Sequence, residues 1–121
     1  MGQIRLLLTF EHASEETAAA QFEKMLANAE RARKEPGCIQ YEPFRSLEFP
    51  LHTAMLELWA SREAFDAHWQ LCLQAVPGGL PPRSPTVKAT FEIYEKQEYV
   101  VHQDVWKPVE MDKRTASIMF P

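Results

Sequence analysis

Three side chains carry most of the chemistry this sequence offers: Glu57, Trp59 and His68. An imidazole exchanges protons near neutral pH, which makes His68 the first candidate for acid/base work. The alternative is a hydrogen-bonded structural histidine lining a sheet. Glu57 stands between Leu56 and Leu58. Burial would raise its pKa and turn it into a base; otherwise it is solvated, or ion-paired with Arg5 or Arg45. Trp59 could stack on a substrate or donate an electron to it, or it could be a core aromatic. Its indole N–H needs a partner, which suits a pocket edge. Met55 alternates with Glu57 and Trp59, and Phe65 and Trp69 recur with His68 at helical spacing, so these three are the candidate substrate-binding residues.

Other chemistries find little support. His12, His52 and His102 are scattered over loops and a late strand, without HxH or HxxxH spacing, so no metal site is expected. There is no GxGxxG and no phosphate-binding loop, and no cofactor is expected. Ser61 lacks a GxSxG context and reads as a helix cap. Cys38 and Cys72 form no CxxC unit and read as small buried hydrophobes. The net charge of −4, without a long Lys/Arg run, leaves nucleic acid no electrostatic footprint. The apolar run Leu6–Leu8 is too short to span a bilayer or act as a secretory signal, so no membrane partner and a cytoplasmic location are expected.

Positioning these residues requires a small, ordered set of elements. The 121 residues, 45% apolar and 25% charged, suit one globular domain. Alternation predicts a strand over Ile4–Phe10. Ser14 then caps a helix reaching about Lys34, with Ala18, Phe22, Met25, Ala29 and Ala32 as its apolar stripe, and Pro36-Gly37 turns the chain. Cys38–Arg45 is a second strand with Ile39 and Tyr41 on one face; Pro43 consigns its later half to an edge or bulge. Thr53–Trp59 is a third strand. Ser61 caps a second helix whose inward stripe is Ala64 or Phe65, His68, Trp69 and Cys72. A Pro/Gly-rich loop over residues 77–85 leads to a fourth strand, Val87–Tyr94, and Tyr99–Trp106 is a fifth strand or a continuation. The order β-α-β-β-α-β predicts an α+β, ferredoxin-like domain over residues 1–106, its antiparallel sheet carrying two helices on one face, followed by a tail over 107–121. The other sheet face also carries apolar residues, so a homodimer is expected.

Two stretches give this pattern a family resemblance. Glu35-Pro36-Gly37-Cys38-Ile39-Gln40-Tyr41-Glu42 resembles the segment that opens the second strand of antibiotic biosynthesis monooxygenase domains. Leu56 to His68 (LELWASREAFDAH) resembles that family's E-x-W-x-S-x-E-A-x-x-A-H signature. The resemblance spans roughly residues 3 to 95. It implies a dimeric α/β barrel with a site between sheet and helices, near the third-strand Trp and the second helix. Members include cofactor-independent oxygenases of anthrones and quinols, haem-degrading enzymes and an autoinducer isomerase. The chain departs from the anthrone oxygenases at Met55, where they carry Asn, and at Phe65, where they carry Tyr. It departs from the haem-degrading members in having no Asn in the first strand and in the offset of His68.

Two functions follow as expectations. In the first, a cofactor-independent monooxygenase oxidises a small aromatic substrate with O₂, with Trp59 and Trp69 positioning the substrate and His68 or Glu57 as base. In the second, the same His68 and Glu57 serve a non-oxidative isomerase or cyclase, or the fold only binds a small ligand. Geometry decides whether such a pair exists: Glu57 and His68 meet only if the second helix packs on the face of Glu57 rather than on that of Ala54, Leu56 and Leu58.

Overall fold

The computed structural model describes residues 2–75, 86–103, 105–108 and 118–119. Four strands, β1 (Ile4–His12), β2 (Cys38–Arg45), β3 (His52–Trp59) and β4 (Thr86–Glu95), form an antiparallel sheet in the order β2-β3-β1-β4. Helices α1 (Glu15–Ala32) and α2 (Arg62–Gln74) interrupt them in the expected β-α-β-β-α-β order. The expected loop over 77–85 lies outside the described residues.

Each helix starts where its sequence provides a cap. Ser14 and Ser61 accept from the backbone N–H groups of Thr17 and Ala64, and acidic residues occupy both first turns. Helix α1 ends at Ala32, two residues short of the expected Lys34, because Arg33 is its C-cap and the chain is already turning towards Pro36-Gly37. Both helices cover one sheet face. Arg45, opposite Thr53, lies over the Phe22 ring of α1, while Trp59 meets Phe65 and His68 of α2. Period-two alternation then sends Thr53, Met55, Glu57 and Trp59 inwards, and all four are buried. Leu6, directly across from Glu57, completes the core with Trp59 and Phe65.

Several expectations need correction. Ile39 does not share a face with Tyr41: the register shifts between Cys38 and Gln40, so Tyr41 stands opposite Glu57 while Ile39 is exposed. His12 is not a loop residue but the last of β1; it is buried, and its Nε2 lies 2.7 Å from the Thr53 hydroxyl. Trp69 is 40% exposed and does not belong to the inward stripe of α2. Tyr99–Trp106 is not a single strand. The chain reverses at Gln103, which has positive φ, to form β5 (Tyr99–His102) and β6 (Val105–Pro108); a short β7 (Ile118–Met119) pairs with β6 in a second, three-stranded sheet.

Candidate functional site

The end of β3 and the first turns of α2 meet at one aromatic cluster. Only Ala60 and the Ser61 cap separate Trp59 from the helix. So short a link folds α2 back over the strand, and the Trp59 and His68 rings lie 4.7 Å apart at 33°. Tyr41 approaches His68 edge-on at 5.4 Å, and Phe65 completes the cluster against Trp59 at 6.4 Å.

Glu57 lies beneath these rings with 3% of its surface exposed. Its carboxylate accepts a 2.9 Å hydrogen bond from the Trp59 indole N–H. Neither ion pair considered from sequence forms: Arg5 donates to the Gln40 side chain and, at Glu57, to the backbone carbonyl instead of the carboxylate, and Arg45 lies over Phe22. Burial pushes the Glu57 carboxyl up, and the Trp59 hydrogen bond and the His68 charge oppose that only in part. Burial, followed by the negative charge of Glu57, pushes the Tyr41 hydroxyl up, so Tyr41 stays a neutral phenol.

His68 is 6% exposed and is engaged at both ring nitrogens. Nδ1 lies 2.9 and 3.0 Å from the two carboxylate oxygens of Glu35. A carboxylate only accepts, so Nδ1 carries the proton. Nε2 lies 3.4 Å from Cys72 Sγ, one helical turn on. Burial pulls the imidazole down, but the contacts with Cys72 and Glu35 more than reverse this and hold His68 at about 9.

Glu35 and Cys72 are the site residues that the sequence did not single out. Glu35 reaches His68 through the turn that follows α1. Gly37 has φ of +83°, and a Cβ placed there would lie 2.6 Å from the Ala64 Cβ. Its carbonyl accepts a 2.7 Å bond from the Ala60 N–H, which locks the turn against the start of α2. The available signal was Pro36-Gly37 directly after an acidic residue, with the small residues Ala60 and Ala64 at the start of α2 to receive a bare backbone.

The structure thus brings Glu57, Trp59 and His68 together with Phe65 packed against the two rings, buries Met55 on the same face of β3, and leaves Trp69 outside the ring contacts. A cleft of about 380 Å³ opens on the His68 side of the cluster, lined by Glu35, Gly37, Ser61, Ala64, His68 and Leu71 among others. A second, of about 540 Å³, lies at the far end of the sheet beside Phe44, His52 and Lys88. No group of three His, Cys, Asp or Glu side chains suited to hold a metal occurs among the described residues, and no helix among them is long and apolar enough to cross a membrane.

Comparison with known proteins bears on this geometry. Residues 4–71 match the family model described as antibiotic biosynthesis monooxygenase. Among solved structures, a Deinococcus radiodurans protein that carries the provisional name of antibiotic biosynthesis monooxygenase is similar with a TM-score of 0.64, at 21% identity over 83% of this chain and 98% of that one. A Shewanella oneidensis protein is similar with a TM-score of 0.61, at 23% identity over 78% and 91% of the two chains. A conserved Methanosarcina mazei protein is similar with a TM-score of 0.57, at 24% identity over 80% and 95%. At such identities the likeness extends to the fold alone. No curated protein matches the chain.

Proposed function

The chain belongs to the antibiotic biosynthesis monooxygenase family, and from that premise we propose that it oxidises a small, electron-rich aromatic of the quinol or anthrone kind with O₂, without metal or flavin. One observation carries this reading: a carboxylate–imidazole pair, Glu35–His68, opens on a cleft while its imidazole packs, tilted, against Trp59. An anthrone-type substrate must lose a proton to become a carbanion, and that carbanion must be stabilised before it passes an electron to oxygen. Because both His68 nitrogens are occupied, the proton goes to the free lone pairs of Glu35, whose side chain is 20% exposed. The imidazolium behind Glu35 stabilises the anion that forms. Trp59, tied by its indole N–H to Glu57, fixes the plane of the imidazole from below. The methylene of an anthrone then takes one oxygen atom as a carbonyl, and the second leaves as water. Glu57, too enclosed to touch a ligand in the cleft, acts through Trp59 and His68 rather than as the base itself.

An oxygen electrode tests this with a panel of anthrones and quinols. Uptake of one O₂ per carbonyl formed is expected, with kcat lower by about 100-fold in Glu35→Gln, the usual scale of a lost general base. A second reading draws on the same occupied imidazole, which serves a non-oxidative isomerase equally well. Turnover under argon, with no oxygen consumed in air, would replace the first reading by the second.

A further inference from the structure

The contacts on the two nitrogens of His68 form a sequence: Cys72 Sγ, then Nε2, with Nδ1 held by Glu35. A thiol, an imidazole within hydrogen-bonding distance of it, and a carboxylate that fixes the tautomer of that imidazole are the parts of an activated nucleophile, recognised by geometry rather than by fold. We propose that Cys72, His68 and Glu35 constitute a thiol nucleophile that adds to conjugated carbonyl compounds of the enone or quinone class.

Four observations support the assignment independently of whether the protein uses oxygen. Cys72 follows His68 by four residues within α2, so the helix itself holds thiol and ring on one face. Since Glu35 requires a proton on Nδ1, a neutral His68 offers Nε2 as acceptor to the Cys72 S–H, and a charged His68 offers an N–H to the sulfur. Cys72 is half-buried rather than enclosed in the core, so part of the residue meets solvent. Cys38 supplies an internal contrast. It packs against the hydrophobic core with no imidazole contact among the described residues, and burial, then Glu35 and Glu57, push its thiol up.

The reaction needs no oxidant. The sulfur forms a bond to the β-carbon of the acceptor, the C=C electron pair shifts through the carbonyl to oxygen as an enolate, and the thiol proton, held meanwhile by His68, ends on the α-carbon. A conjugated acceptor suits the site because the thiolate is a soft nucleophile and the imidazolium stabilises the enolate. A quinone released from a quinol would belong to this class.

N-ethylmaleimide, a conjugated carbonyl acceptor, provides the probe. Its rate of addition to each cysteine is followed by peptide mass spectrometry, in the folded chain and in the same chain unfolded in urea, at pH 6.5. In the folded protein Cys72 is expected to react about tenfold faster than in the unfolded chain, a gain that exposure alone cannot produce. Cys38 is expected to react more slowly folded than unfolded. His68→Gln and, as a milder change at the surface, Glu35→Gln should each remove the gain while circular dichroism stays native, and Glu35→Asp, which keeps the carboxylate, should restore part of it. A folded-state rate at Cys72 equal to or below the unfolded rate, or one that persists in both Gln variants, would overturn the proposal.

Discussion

At the scale of single residues, the site rests on two buried ionisable groups that are both shifted up, with opposite consequences for stability. His68 is held at about 9, against 6.5 in an unfolded chain, because Cys72 and Glu35 outweigh the cost of burying the ring. A group raised on folding contributes stability that is complete below its unfolded value, here about 6.5, and is lost as the pH climbs through about 9. Glu57 is also raised, by burial, but its charged form is the disfavoured one. Its cost is absent below about 4.5, the ordinary carboxylate value, and grows as the pH rises beyond it. The urea midpoint of the native protein is therefore expected to fall between pH 6.5 and 9. His68→Gln should flatten that fall, whereas Glu57→Gln, which keeps an acceptor for the Trp59 indole, should leave it in place and raise stability at neutral pH relative to pH 4. A midpoint in the native protein that stays level from pH 6.5 to 9 would show that the Glu35–His68 contact does not hold the ring charged.

At the scale of elements, the turn between α1 and β2 decides where Glu35 lies. Gly37 combines a left-handed backbone with an approach to Ala64 that leaves no room for a Cβ. Gly37→Ala should destabilise the fold by about 1–3 kcal/mol, the scale of backbone strain at such positions, and should also lift Glu35 from His68; urea unfolding combined with maleimide labelling of Cys72 would separate the two effects. This turn also marks the limit of what could be read from the sequence. Period-two and helical patterns located both helix caps, β2, and the strand face shared by Met55, Glu57 and Trp59, because burial imposes those periods directly. They placed Trp69 wrongly because it sits at the margin of the α2 stripe, where a large aromatic can point either way. They paired Ile39 with Tyr41 because a bulge breaks alternation without leaving a mark in residue type. Glu35 and His68 are 33 residues apart, and nothing local to either records that a glycine contact will join them.

At the scale of the whole molecule, the four-stranded sheet has one face that neither α1 nor α2 covers, and its register shows what that face presents. Across the centre of the sheet run Glu42, Leu56, Leu7 and Glu92, two leucines flanked by carboxylates. One row to one side stand Gln40, Leu58, Arg5 and Tyr94, where the Arg5 guanidinium is bonded to the Gln40 side chain. To the other side stand Phe44, Ala54, Thr9 and Thr90, with the two threonine hydroxyls joined across the strands. Phe44 and Tyr94, at opposite corners, are 45% and 54% exposed. An apolar centre with a polar rim has the anatomy of a surface that is covered in use. Two such sheets packed face to face about 10 Å apart would bury both leucine pairs. The protein is therefore expected to be a homodimer, with a mass by light scattering of about twice its 14.0 kDa. Leu56→Arg would place a charge at the centre of the packed faces, where an unpaired buried charge costs several kcal/mol by rough estimate. That variant is expected to run as a monomer with native circular dichroism, because Leu56 faces away from the Trp59 core. A dimer that survives Leu56→Arg would locate the interface elsewhere, on the helices or the second sheet.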